Sequence, residues 1–156
     1  MAPCLINFLR ENTRHFVTQK GKSDMATQAK AFDLADLTAD ETTEIQMVNP
    51  KTNEDIEGFT VTVYGPDSDI HKAARAKLVA KGSDYRAKHR GKEMPPEESD
   101  RQYRAMVAAC TKAVNGLVYK GKAVTDPAEA FSLPGLGWIF EQVAVGLGDR
   151  ANFIKG

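Results

Sequence analysis

The stretch that decides the fold is EIQMVNPKTNEDIEGFTVTVY, residues 44–64. Both of its ends alternate between apolar and polar residues, which is the period of a β-strand with one buried face. The apolar positions are Ile45, Met47, Phe59, Val61 and Val63. The intervening residues 49–55 are rich in Asn, Pro and Asp, which form turns, so a hairpin is the economical connection. The pattern predicts two antiparallel strands, at residues 44–48 and 58–64.

A basic helix is expected directly after the second strand. Ser68 or Asp69 can cap its first N–H groups, and helical spacing of small and apolar residues continues to about His89. Residues 70–92 carry eight Lys or Arg against Asp84 alone, a net charge of +7, whereas residues 32–69 carry ten acidic residues and one basic residue. Opposite charge in adjacent segments favours pairing within the chain or contact with a neighbouring subunit.

Three further helices follow in the predicted pattern. The second helix is expected to be capped by Ser99 or Asp100, because paired prolines place the preceding residues in a loop. Its core-facing stripe is Tyr103, Met106, Val107, Cys110 and Val114. After a small hairpin or irregular extended loop at residues 117–124, Asp126 caps a short helix, and a last helix begins near Leu136. The sequence thus predicts an α+β fold, with an N-terminal antiparallel β-hairpin packed on a small bundle of three to four helices.

The first 24 residues differ from the rest of the chain. The 156 residues fit a single domain of ordinary size. Residues 1–24 carry a net charge of +2, and Met25 begins a stretch, MATQAKAFDLADL, that is typical of a natural start. We therefore expect residues 1–24 to be a disordered N-terminal extension from an upstream start, with a surface amphipathic helix as the alternative. Residues 25–156 are expected to form one α+β domain.

The overall composition excludes several classes of function. Acidic and basic residues balance at 21 each, so bulk charge favours neither nucleic acid nor a membrane surface as partner. No uncharged apolar run is long enough to span a bilayer. Two cysteines, Cys4 and Cys110, are too few for a disulfide framework, so a reducing cytosol is the expected compartment. Cys110 falls on an apolar helix face and is expected to be a buried core residue.

The search for motifs predicts neither catalysis nor a bound cofactor. Residues 116–122, GLVYKGK, match the phosphate-binding pattern G-x-x-x-x-G-K. However, Ala123 stands where a Ser or Thr hydroxyl must bind magnesium, and the segment does not open a helix. His15, His71 and His89 have no partner at a metal-ligand spacing, and the last two are expected on an exposed helix face. We expect no catalytic residue, no metal site and no cofactor, and we interpret the clustered carboxylates as a solvated acidic surface.

Seven segments of the chain occur in an order that can be compared with known families. They are FDLADL (32–37), QMVNPKTN (46–53), FTVTVYGPDS (59–68), AACT (108–111), residues 114–122, WIFEQV (138–143) and GDRANF (148–153), with the basic helix between the third and the fourth. In this order the chain resembles the tail assembly chaperones of long-tailed bacteriophages. The resemblance covers residues 30–154 and includes no catalytic signature.

The resemblance implies a non-catalytic role in the assembly of a phage tail. Members of this family bind the tape-measure protein, whose long apolar helices otherwise aggregate, and help to recruit tail-tube subunits before they leave the finished tail. The resemblance therefore implies these two phage proteins as partners. Contact of the basic helix with a neighbouring subunit makes self-association a further expected interaction, and the composition favours no membrane partner. The resemblance also implies a location in the host cell cytoplasm and not in the mature virion.

Two groups of side chains are the candidate contacts with such a partner. The aromatic group is Trp138, Phe140 and Phe153. Trp138 and Phe140 point to different sides of one helix, so one of them can face a partner, where Trp is a favoured anchor. The basic group is Arg75, Lys81 and Arg86.

The basic segment, residues 70–92, also supports an alternative function. It can neutralise phosphates, as in a small nucleic-acid-binding phage accessory protein whose affinity falls as salt rises. Tyr85 is the only aromatic residue among these basic residues, so stacking on single-stranded bases is poorly supported. Nucleic acid is therefore the second hypothesis, and protein contact is the first.

Overall fold

The computed structural model describes residues 37–154, so the extension predicted at residues 1–24 lies outside the described residues. The elements in chain order are β1 (Thr42–Val48), β2 (Asp55–Tyr64), α1 (Asp69–Lys88), α2 (Pro96–Ala109), β3 (Thr111–Asn115), β4 (Val118–Tyr119), β5 (Lys122–Ala123), α3 (Pro127–Ser132) and α4 (Gly137–Gly148). A 3₁₀ turn, Arg150–Phe153, follows α4. The antiparallel hairpin comes first and the helices follow it, which confirms the predicted α+β class.

The three longer strands form one antiparallel sheet in the order β1-β2-β3. The predicted hairpin makes up its first two strands. Val61 of β2 lies opposite Ile45 of β1 and Val114 of β3, and its side chain is fully buried. Together with Phe59 and Val63 it forms the inward face of β2, as the alternation predicts.

The third strand corrects the prediction that the second helix continues through Cys110 to Val114. The helix ends at Ala109, and Val114 instead lies in β3 opposite Val61. The register between β2 and β3 shifts after Thr111, so that Thr111 and Val114 are both buried although they are three residues apart. A bulged strand thus reproduces the i, i+3 spacing of a helix, while its β-branched side chains favour the extended chain.

The start of α2 also differs from the prediction. The helix begins at Pro96, so the expected caps, Ser99 and Asp100, lie inside its first turns. Pro96 occupies the first helical position, where a missing N–H group costs no hydrogen bond. Glu97 and Glu98 follow in the first turn, where negative charge complements the helix dipole. The paired prolines therefore start this helix.

A single hydrophobic core joins the inner face of the sheet to α2, α3 and α4. Cys110 belongs to it, as predicted. From α4, the side chains of Ile139, Phe140, Val143 and Leu147 are buried, at the spacing of one helix face. The other buried apolar residues are Met47, Phe59, Val61, Val63, Val107, Val114, Leu117, Val124, Ala130, Phe131 and Phe153.

Short-range signals place several elements where the sequence predicts them. Ser68 caps α1, since its Oγ accepts a hydrogen bond from the N–H of His71 at 3.1 Å. Asp126 caps α3. β4 and β5 pair as a small hairpin, and its turn holds Lys120 and Gly121 at positive φ. These features depend on a few neighbouring residues and not on the core.

Candidate protein-binding surface

The helix α1 has 20 residues and buries none of them. Its main packing partner is α2. Local signals support its helical state: the Ser68 cap, Asp69 in the first turn, and Arg86 and Lys88 in the last turn. Alanine, the strongest helix former, recurs along it at Ala73, Ala74, Ala76, Ala80 and Ala87. A helix supported mainly by such signals is marginal in water, so its open surface is a candidate for contact with a partner.

The contact between α1 and α2 leaves a recess on one side. The α1 residues that face α2 are partly buried and recur every three or four positions. They are His71, Ala74, Leu78, Gly82 and Tyr85. The recess has a volume of about 280 Å³ and is called here the arm recess; its lining residues are Leu78, Gly82, Met94, Ser99, Gln102 and Tyr103. Leu78, Met94 and the ring of Tyr103 are large and apolar, so the arm recess offers a hydrophobic contact surface.

The basic residues of α1 form two stripes, one on each side of the residues that face α2. At about 100° per residue, one stripe is Lys77, Lys81 and Lys88, and the other is Lys72, Arg75 and Arg86. The ion pairs found within residues 37–154 involve Arg101, Arg104 and Arg150, none of which belongs to α1. The acidic hairpin and the basic helix therefore do not neutralise each other by direct ion pairs in the described part of the chain.

The three predicted basic contacts are all exposed, but they divide between these stripes. Arg75 and Arg86 share their side of α1 with Val79, which is 61% exposed. Lys81 lies on the other side, where its Nζ donates a hydrogen bond to Oε1 of Gln102. Gln102 in turn donates to Glu98, and this hydrogen bond is the main cause of the lowered pKa of Glu98. Lys81 thus contributes to the contact between the two helices.

The three predicted aromatic contacts divide between the core and the surface. Phe140 and Phe153 are 5% and 1% exposed, and the ring of Phe140 meets Tyr103 edge-on at 5.8 Å. Trp138 is half-buried, with its ring edge-on to Phe59 at 6.3 Å. As placed, Phe140 and Phe153 have no surface to offer a partner, and Trp138 alone of the three reaches solvent.

Two titratable side chains have displaced pKa values because they are withdrawn from water. Burial raises the pKa of the Cys110 thiol to about 11. His71 was expected to be exposed, but it is half-buried, and its Nδ1 is buried with no hydrogen-bond partner among residues 37–154. Burial, and then the charge of Arg75, lower the pKa of His71. Within residues 37–154, no three His, Cys, Asp or Glu side chains are grouped as metal ligands.

Sequence reasoning missed the arm recess. The signal that could have revealed it is the repeat of small and apolar residues on the α2-facing side of α1, Ala74, Leu78 and Gly82. Met94 carries no such signal, because it lies in the loop before α2 where no periodicity applies. Its place in the recess follows only from the antiparallel packing of the two helices.

Comparison with known proteins assigns no family to this chain. No family model, no curated protein and no solved structure matches it. In the described part of the chain, no helix has the length and apolar character needed to cross a membrane.

Proposed function

We propose that this protein is a bacteriophage tail assembly chaperone that binds the tape-measure protein and helps to recruit tail-tube subunits, without catalysis. The observation that carries the proposal is α1, a 20-residue helix that buries no residue and borders a partly apolar recess. The resemblance of the sequence supports the identity of the partners. In this proposal the protein acts in the host cell cytoplasm and is absent from the mature virion.

The arm recess suits an apolar helix as its occupant. An amphipathic helix laid into a groove presents anchors every three or four residues, and Leu78, Met94 and Tyr103 supply apolar walls for them. Methionine adapts to anchors of different shapes. By helical spacing, Arg75 and Arg86 lie on the same side of α1 as Gly82, and both are exposed, so they favour partners with acidic borders and let the complex weaken as salt rises.

Binding would also supply the burial that α1 lacks in the free protein. A partner that binds the ordered helix and not its unfolded form stabilises it by mass action. The stability of α1 and the occupancy of the arm recess are therefore coupled. The core, to which α1 contributes no buried residue, does not need to change.

Nucleic acid is the second candidate partner. It is favoured by the absence of ion pairs to the α1 Lys and Arg side chains within residues 37–154. However, these side chains lie on two sides of the helix, so one row of phosphates meets only one stripe. The resulting affinity would be low and strongly dependent on salt.

The test is co-expression with the tape-measure protein encoded in the same phage genome. Gly82→Glu places a charged side chain in the arm recess, and it causes no backbone clash because a Cβ at Gly82 meets no atom within 4 Å. Ala80→Glu is the matched control, since it adds the same charge on the side of α1 that faces away from α2. We expect the wild type and Ala80→Glu to keep the tape-measure protein soluble and bound, and Gly82→Glu to lose it.

Two results would contradict the proposal. One is equal binding of the tape-measure protein by all three chains, and the other is its aggregation in the presence of the wild type. Recovery of nucleic acid that is released by salt, without tail proteins, would favour the second candidate.

A further inference from the structure

The outer edge of β1 carries backbone groups that no described residue bonds. Among residues 37–154, β1 lies at the edge of the sheet and pairs with β2 alone. In an antiparallel ladder, successive residues direct their N–H and C=O groups alternately to the two sides. The C=O of Glu41 accepts a hydrogen bond from Gly65 on the β2 side, so the groups of Thr42, Glu44 and Gln46 point outward. Within residues 37–154, the N–H groups of these three residues have no hydrogen-bond partner.

The chain itself closes both ends of this edge. At one end, the N–H of Asp40 donates to the C=O of Phe153 at 2.7 Å. At the other end, the side-chain amide of Gln142 bonds both backbone groups of Val48, with distances of 2.9 Å to the N–H and 2.7 Å to the C=O. Gln142 thus takes the place of a neighbouring strand at that residue. The open window between these two closures spans Thr42 to Gln46 and fits a guest strand of about five residues.

A groove lies beside this window, between β1 and α4. Its volume is about 450 Å³, and its walls include Ile45, Val48, Pro50, Glu141, Val145 and Gly146. Val145 is 74% exposed, the most exposed of the large apolar residues in the described chain. The helix lies close to the strand because Gly146 has no side chain: a Cβ there would lie 2.6 Å from Cδ1 of Ile45. Ile45, Val48, Pro50 and Val145 thus give the groove an apolar part, Asn53, Glu141 and Gln142 give it a polar part, and it is open to solvent.

The two faces of the sheet differ in chemistry at this edge. A guest strand directs alternate side chains to the two faces. One set would enter the groove beside Ile45 and Val145. The other set would lie on the outer face beside Glu44, whose carboxylate accepts a hydrogen bond from the Thr60 hydroxyl. Glu44 is exposed, and Glu141 adds a second negative charge at the rim of the groove.

We propose that this edge binds an extended cationic segment of a partner protein as an added fourth strand. The outward backbone groups of Thr42, Glu44 and Gln46 supply hydrogen bonds, and side chains at every second position supply selectivity. Apolar residues of the guest occupy the groove, and Lys or Arg residues at the alternate positions face Glu44. This inference does not depend on the proposed function, which uses α1 and α2.

A second copy of the chain fits the same edge less well. Antiparallel pairing of two β1 edges about Glu44 places the two Glu44 side chains directly opposite each other. Like charges in that position destabilise a strand pair. The charge that discourages pairing between identical edges is the charge that attracts a cationic guest.

The test is selection of random 12-residue peptides on the immobilised full chain, followed by affinity measurement of the selected peptides. Glu44→Pro removes the central outward N–H and leaves the ladder between β1 and β2 intact, since Pro is tolerated where an edge N–H faces solvent. Glu44→Gln keeps the N–H and removes the charge. Glu57→Gln is the matched control, because Glu57 is exposed and lies in β2, outside the open window and the groove.

We expect the selected peptides to alternate apolar residues with Lys or Arg. The affinity of the selected peptides should fall about tenfold for Glu44→Pro. This variant lacks the backbone N–H that donates to the guest strand, and it leaves a carbonyl oxygen of the guest without a donor. Glu44→Gln should weaken binding and reduce its salt dependence, while Glu57→Gln should leave it unchanged. Gly82→Glu should also leave it unchanged, which separates this inference from the proposed function.

A second pair of variants covers the case in which Glu44→Pro does not fold. Val145→Asp places a charge in the groove, and Val118→Asp, at a residue that is 63% exposed in β4, is its control. Only the first should weaken peptide binding. Equal binding by the wild type and the edge variants, or no selection of peptides above background, would overturn the proposal. If sedimentation shows a dimer that Glu44→Pro dissociates, then the edge binds a second copy of the chain. That result would also overturn the proposal.

Discussion

The helices α1 and α4 form for opposite reasons. α4 has 12 residues, five of them buried, although three of the 12 are glycines that weaken a helix. α1 has 20 residues and none is buried, although its cap, its end charges and its alanines all favour a helix. α4 is therefore held by the core, and α1 by its own sequence. A partner can add burial to α1 without disturbing the rest of the molecule.

The largest expected effect comes from opening the core at α4. Ile139 is fully buried, so Ile139→Ala should lower the free energy of unfolding by about 2–5 kcal/mol. Val79→Ala on α1 removes apolar atoms from a side chain that is 61% exposed. It should change the free energy of unfolding by less than about 0.5 kcal/mol. Urea unfolding of the two variants measures the difference. Equal effects would mean that α1 is packed as tightly as α4.

A comparison of Gly116 with Gly121 separates a long-range constraint, a clash with another strand, from a local one, the backbone conformation. Gly116 and Gly121 both have positive φ, but a Cβ at Gly116 would lie 1.9 Å from the carbonyl oxygen of Gly58, whereas one at Gly121 meets no atom within 4 Å. We expect Gly116→Ala to cost about 2–3 kcal/mol of stability and Gly121→Ala about 1 kcal/mol. Thermal or urea unfolding measures both. Similar losses would show that only the backbone conformation matters at these sites.

Removal of the α1 cap should have a smaller and more local effect. Ser68→Ala deletes the hydroxyl that accepts from the His71 N–H and donates to the Gly65 carbonyl at 2.7 Å. We expect a loss of about 0.5–2 kcal/mol, read as faster amide hydrogen exchange along α1 while α4 is little changed. Ser83→Ala, at an exposed position of the same helix, is the control and should leave exchange unchanged. A global loss of protection would instead tie α1 to the core.

The smallest expected effect is a dependence on pH through His71. Burial and Arg75 lower its pKa in the folded protein, so the unfolded chain binds the proton more readily. The contribution of neutral His71 to stability is complete above its unfolded pKa, near 6.5, and is lost as the pH falls through the lowered value. The difference in stability between the wild type and His71→Gln should therefore shrink or reverse below pH 6.5. A difference that is constant from pH 5 to pH 8 would contradict this.

The parts of the fold that the sequence predicts correctly are those with local signals. The alternation in β2, the Ser68 cap and the Asp126 cap each depend on a few neighbouring residues. The prediction of helix as far as Val114 was wrong because a long-range strand pairing decides that segment. The predicted helix extended to Val114 because Val114 follows Cys110 by four residues, a helical spacing, whereas Val114 pairs with Val61 in the sheet.

The sequence predicts the candidate binding surfaces less well than it predicts the fold. Basic residues on α1 are visible as a charge run, and Arg75, Lys81 and Arg86 are indeed exposed. Phe140, a candidate partner contact, is instead buried, with its ring edge-on to Tyr103 of α2. Closure of the β1 edge depends on Gln142, 94 residues away from Val48 along the chain. Side chains that act across such separations need the folded structure to be found.

Hydrogen exchange of the full chain, alone and bound to the tape-measure protein, tests the central claim most directly. The account predicts weak protection of α1 amides and strong protection of α4 amides in the free protein, because only α4 is held by the core. In the complex, α1 should gain protection and α4 should not change. Protection of α1 equal to that of α4 in the free protein, or no gain on binding, would contradict the claim that α1 is the docking helix.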